Sequence, residues 1–146
     1  GEIRGTPAYI SPEQVELRPV TGASDIYSLG CTLWHALVGA PPFSDPDPVA
    51  LLVMHVHHPP PLLGAALPGC DRRLERLLGR MLAKDPLERP CYEELLAELR
   101  LLLQRQERRA GTRDSLGTRV FRTIALAVDG VRRALVGRRA EAAPPP

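Results

Sequence analysis

The first 105 residues predict an all-α fold. Three observations carry this reading: apolar residues recur at helix-face spacing in each patterned stretch, Pro and Gly clusters separate the stretches, and no run alternates convincingly as a half-buried strand does. Helices with no sheet to cover must pack on one another around a core. A length of 146 residues accommodates one such domain, and 44% hydrophobic with 25% charged residues is a balance that supports it.

Residues 1 to 12 are rich in Gly, Thr, Ser and Pro and read as a loop. Ser11 and Pro12 then start a short helix over Pro12 to Val15, because proline suits the first helical position. A polar turn, Arg18 to Ala23, precedes a helix capped by Ser24 or Asp25 that runs to Val38 and stops at Gly39, a residue suited to a left-handed cap. Ile26, Tyr27, Leu29, Cys31, Leu33, Trp34, Ala36, Leu37 and Val38 surround its axis, so this helix is expected to be buried on all sides, with Trp34 and His35 as packing residues.

A proline-rich loop over Ala40 to Pro48 follows, with Asp47 as cap and Pro48 opening a helix that ends near His57; Pro59, Pro60 and Pro61 forbid its continuation. Asp71 caps a helix whose Leu74, Leu77, Leu78, Met81 and Leu82 keep the 3.6-residue period until Asp85 and Pro86 break it. The last well-patterned helix spans Tyr92 to Gln104, with Leu95, Leu96, Leu99, Leu102 and Leu103 inward and Glu94, Glu98 and Arg100 outward; its start at Cys91 is poorly capped.

Composition excludes several classes. Aromatic residues are only 4%, which argues against a base-stacking reader of nucleic acid. Cys31, Cys70 and Cys91 are odd in number and never form a CxxC pair, which argues against a disulfide framework or zinc knuckle and fits a reducing cytoplasm. No run of 18 apolar residues exists, and the first residue is neither Met nor the start of a signal-like sequence, so the chain reads as an internal start. Residues 1–105 carry 10 basic and 13 acidic side chains, residues 106–146 nine and four, so the tail is a different object.

Four blocks carry the functional signal: GTPAYISPEQ at 5–14, SDIYSLG at 24–30, GAPPF at 39–43 and MLAKDPLERP at 81–90. In order and spacing they resemble bacterial-type serine/threonine protein kinases, at the end of the activation segment, the start of the central F helix, the approach to the G helix, and the turn between the H and I helices. The resemblance implies the C-terminal part of a kinase C-lobe, with residues 1–105 in the kinase domain, while composition and apolar spacing read 106–117 as a linker, 118–138 as a basic amphipathic helix and 139–146 as a disordered tail.

Site residues follow from the resemblance alone. Thr6 would bond the catalytic-loop Asp and Lys and help seat the acceptor hydroxyl, and Pro7, Ala8 and Tyr9 would wall the place of the substrate residue after the phosphorylated one. Glu13 would pair with Arg89 as a structural joint, two parallel hydrogen bonds being the geometry a guanidinium offers a carboxylate. Asp25 would cap the F helix while accepting amides of the catalytic loop, and Gly30 would let a neighbouring chain approach. Tyr27 stands where many eukaryotic kinases have Trp.

His55, His57 and His58 read as solvated histidines at a helix end, since no carboxylate or thiolate stands beside them to complete a metal site. Asp129 and Gly130 mimic the end of a DFG motif but lack the phenylalanine. Phosphoryl transfer needs a glycine-rich cover, a phosphate-binding lysine, metal ligands and an acid that orients the acceptor. The sequence contains neither HRD nor DFG nor a GxGxxG with its lysine, and the single lysine, Lys84, belongs to the KDP turn. The chain by itself is therefore expected to be inactive, with ATP and Mg bound only in the intact kinase.

In the tail, Val120, Phe121, Ile124, Val128, Val131 and Leu135 recur at helical spacing among Arg119, Arg122, Arg132 and Arg133, a pattern that fits an anionic membrane surface, a partner helix, or docking on the chain's own lobe. The expected partners are a protein substrate, the N-lobe and catalytic loop, and the inner membrane face, with no nucleic acid. The alternative function is a non-catalytic binding module derived from a kinase C-lobe.

Overall fold

A computed structural model describes residues 7–110 of the chain, without the side chains of residues 106, 107, 109 and 110. Thr6, the remainder of the predicted linker and the predicted helix 118–138 lie outside the described residues. Six α-helices and two 3-10 turns make up the described residues, and no strand occurs among them. They fall into two compact units, one reaching Cys91 and one beginning at Tyr92.

The first unit opens with a 3-10 turn, Pro7–Tyr9, and α1, Pro12–Val15, where sequence placed it. The Gln14 side chain accepts from the Ser11 amide at 3.0 Å, meeting one of the donors that a helix start leaves open. The turn that follows is sharp enough to hold Leu17 at φ 55°, a left-handed conformation uncommon for a residue with a γ-branched side chain.

The central helix α2, Gly22–Val38, begins earlier than expected. Its cap is Thr21, not Ser24 or Asp25: Thr21 Oγ1 accepts from the Ala23 amide at 3.3 Å, and Ser24 Oγ accepts from the Thr21 amide at 3.2 Å. Ser24 thus closes the box from inside the helix, and the exposed Asp25 stands in the first turn, where its charge meets the positive end of the helix dipole. Gly39 ends α2 at φ 86° as predicted.

Among the described residues α2, apolar around its axis as its sequence indicates, is not covered on every side. Ile26, Tyr27, Cys31, Leu33 and Trp34 are buried, but Asp25, Thr32 and Ala36 are exposed. These three, with half-buried Leu29, recur at steps of three and four and so share one open stripe.

The other helices of the first unit dock on α2 or beside it. Asp47 Oδ1 accepts from the Val49 amide at 2.9 Å and starts α3, Pro48–His57, as its sequence indicates. A one-turn helix α4, Leu63–Ala66, interrupts the stretch read as loop; the Gly64 amide donates to Glu75 of the next helix, which supplies a partner no local sequence signal announces. Asp71 caps α5, Arg72–Met81, which buries Leu74, Leu77, Leu78 and Met81. Its end lies so close to α2 that a Cβ on Gly30 would stand 3.0 Å from Met81 Cβ and 3.1 Å from Leu82 Cδ2. A second 3-10 turn, Pro86–Glu88, is capped by Asp85.

The second unit, as far as it is described, is α6, Tyr92–Ala110. Leu95, Leu96, Leu99 and Leu102 form its buried stripe. The helix runs past Gln104 into the first residues of the stretch read as linker, since nothing before Gly111 breaks a helix.

Candidate substrate-side site

Two polar joints and one exposed turn meet on α2. The first joint is built around Arg89, which has five N–H donors and uses all of them. Nη1 and Nη2 donate to Glu13 Oε1 and Oε2 at 2.7 and 2.9 Å; Nη1 also reaches the Ala23 carbonyl at 2.8 Å, Nη2 the Lys84 carbonyl at 3.1 Å, and Nε the Ala83 carbonyl at 2.8 Å. Ser24 Oγ donates to Glu13 Oε1 at 2.6 Å, and the guanidinium stands 4.9 Å from the centre of the Tyr27 ring.

Both charges are nearly sealed from water, with Glu13 1% and Arg89 5% exposed. Burial pushes the Glu13 carboxyl up, but hydrogen bonds from Arg89 and Ser24 outweigh it and hold the group down at about 2. The joint fastens α1, the start of α2 and the second 3-10 turn across 76 residues of sequence.

The second joint lies where α3 meets α2. His55 is fully buried, correcting the reading of it as a solvated histidine, whereas His57 and His58 are exposed. The reason is local: the Tyr27 hydroxyl lies 2.9 Å from His55 Nδ1, and Phe43 meets the imidazole edge to face at 5.1 Å. His55 Nε2 has no partner, and burial, followed by the nearby Lys84 charge, lowers the imidazole to about 4.

Lys84 donates to the Met54 and His55 carbonyls at 3.2 and 2.7 Å, lies 3.4 Å from Tyr27 Oη, and sits 4.3 Å from the Phe43 ring centre. A compact ammonium thus closes the carbonyl end of α3, where helix and cation attract. Burial lowers this amine to about 8 and raises the Tyr27 phenol and the Cys31 thiol, the latter to about 12, which leaves Cys31 a packing residue.

The exposed turn is Pro7–Tyr9. All three residues are half-exposed. Ser28 Oγ donates to the Tyr9 carbonyl at 2.8 Å, and the Tyr9 hydroxyl pairs with His35 Nδ1 at 2.6 Å. His35 is therefore more than a packing residue, while Trp34, 4% exposed, is one.

Of the residues singled out by sequence, the fold brings Glu13 and Arg89 into contact, sets Pro7, Ala8 and Tyr9 beside α2, places Gly30 against the end of α5, and leaves Asp25 on the open stripe. Sequence reading missed Ser28, the partners of His55, and the roles of Ser24 on the Glu13 carboxylate and of Lys84 on the end of α3. One signal was available: a lone lysine among 19 basic residues marks a position where a guanidinium fork does not fit. No group of three or more His, Cys, Asp or Glu among the described residues could hold a metal.

The helical base thus has α1 and the second 3-10 turn locked together by the Glu13 carboxylate and the Arg89 guanidinium. The chain belongs to the protein kinase domain family, which it matches over residues 1–99. Among its relatives are three bacterial proteins. Serine/threonine-protein kinase Pkn1 of Myxococcus xanthus is 42% identical over 89 residues, PknB of Mycobacterium tuberculosis 39% over 87, and PknJ of Mycobacterium tuberculosis 35% over 91. The matches cover 61, 60 and 61% of this chain and 13, 14 and 15% of those proteins, respectively. No helix among the described residues is long and apolar enough to cross a membrane.

Proposed function

We propose that this chain is the substrate-side base of a serine/threonine protein kinase that phosphorylates protein Ser or Thr residues using ATP and magnesium held by other parts of the intact protein. Thr6 seats the acceptor hydroxyl, and Pro7, Ala8 and Tyr9 wall the place of the residue after it. Glu13 and Arg89 fix that wall to the helical base, and Asp25 on the open stripe of α2 accepts amides of the catalytic loop. Phosphoryl transfer is mostly positioning and charge stabilisation. Positioning the acceptor is the share these residues supply.

The observation that carries this reading is the Glu13–Arg89 joint, which ties the block matching the activation-segment end to the block matching the KDP turn, 76 residues apart. The test is a phosphotransfer assay on a protein that joins this chain to an HRD- and DFG-bearing segment, with and without Thr6→Val. Activity that falls at least about tenfold with the variant supports the reading, since a lost positioning contact costs more than about 1.4 kcal/mol. The chain alone is expected to transfer no phosphate. A natural protein that binds partners through Pro7–Tyr9 and α3 without transfer would establish the binding-module reading instead.

The stretch 118–138 is proposed to rest on the inner membrane face. Sedimentation with anionic vesicles at low salt, lost at high salt, is the expected result.

A further inference from the structure

Tyr9 is held at both of its ends by one face of α2. Its carbonyl accepts from Ser28 Oγ at 2.8 Å, its hydroxyl pairs with His35 Nδ1 at 2.6 Å, and the Tyr9 and His35 rings are nearly parallel, 9° apart. Ser28 and His35 are two helical turns, about 10 Å, apart along α2. The tyrosine therefore lies along the helix, with its main chain at one end and its hydroxyl at the other.

Among the described residues the turn also lies against α3, but its own hydrogen bonding is sparse. None of its three residues is buried, and the Ile10 amide reaches the Pro7 carbonyl only at 3.4 Å, a long hydrogen bond. A three-residue 3-10 turn has no internal ladder to fix its form. Its form then depends on what grips it from outside: the hydrogen bonds of Ser28 and His35, packing against α3, and Ile10, which is anchored in the core at 6% exposure.

We propose that Ser28 and His35 are positioning residues that set the shape of the Pro7–Tyr9 turn, and through it the preference for the substrate residue that follows the phosphorylated Ser or Thr. The inference rests on the substrate-side reading above. Neither side chain touches a reacting atom; both act through Tyr9.

The test uses a kinase that includes this chain and a peptide library in which only the residue after the acceptor serine varies. Ser28→Ala and His35→Leu are expected to flatten the preference at that position and raise the KM of the best peptide about fivefold, the equivalent of one hydrogen bond. The KM for ATP should stay unchanged. His35→Asn, whose side-chain oxygen stands where Nδ1 does, should restore the preference; His35→Gln, whose oxygen falls nearer Nε2, should not. The Asn and Gln pair also keeps the test open if His35→Leu unfolds the lobe.

Variants that melt earlier yet keep the wild-type preference and peptide KM would make these contacts merely structural and overturn the inference alone. A wild-type protein that transfers no phosphate overturns the substrate-side reading and this inference with it.

Discussion

The Glu13–Arg89 joint and the Tyr27–His55–Lys84 joint are both buried polar clusters touching Tyr27, yet they are finished to different degrees. In the first, every donor of the guanidinium and both carboxylate oxygens are paired. In the second, His55 Nε2 is left without a partner and the imidazole is held neutral by burial. A complete network punishes the loss of any member, because each loss strands a buried charge; an incomplete one already carries a cost that substitution can remove. The two joints should therefore respond to substitution to different degrees.

The largest contrast is expected from truncation. Arg89→Ala leaves the Glu13 carboxylate buried and unpaired and should destabilise the first unit by about 3–5 kcal/mol in a denaturant melt. His55→Phe, which removes the stranded nitrogen while keeping the ring, should change stability by less than about 1.5 kcal/mol.

Acid should separate the joints by pH. The folded His55 resists protonation down to about 4, against an ordinary 6.5, so its contribution is present above pH 6.5 and is lost as pH falls towards 4, by about 3 kcal/mol at most. Glu13 stays ionised down to about 2, against an ordinary 4.5, so its contribution is present above pH 4.5 and is lost as pH falls through 2. Chemical melts between pH 7 and 2 should show two successive losses, and His55→Phe should erase only the upper one.

Close packing beside the joints comes next. Gly30→Ala puts a methyl 3.0 Å from Met81 Cβ, and overpacking there should cost about 1–3 kcal/mol. The smallest effect belongs to the start of α2. Thr21→Ala should cost about 1 kcal/mol and Ser24→Ala more, because Ser24 serves both the cap and the Glu13 carboxylate. Equal costs in thermal melts would mean that the cap and the joint are independent.

The helical fold was legible because its signals are local. Ser11 with Pro12, Asp47 with Pro48, Asp71, and Gly39 each announce a helix end through a neighbour's geometry, and α1, α3 and α5 begin where those residues place them. The start of α2 was misread because Thr21, Ser24 and Asp25 are all competent caps, and the choice was made by Glu13, eleven residues before Ser24, which engages the serine hydroxyl. The burial of His55 was equally hidden. Its partners Tyr27 and Lys84 lie 28 and 29 residues away, and one sequence carries no sign that they converge. The Glu13–Arg89 pair was readable at still longer range only through the family resemblance, since no periodicity links two residues 76 apart.

Lys84 gives the chain an unusual chemical handle. With 18 arginines and one lysine, an amine-directed reagent finds a single side-chain target in 146 residues. That amine is occupied by the last carbonyls of α3. The speed at which this half-buried amine takes up a label therefore reports how often it lets go of those carbonyls, a clock that runs without any substitution.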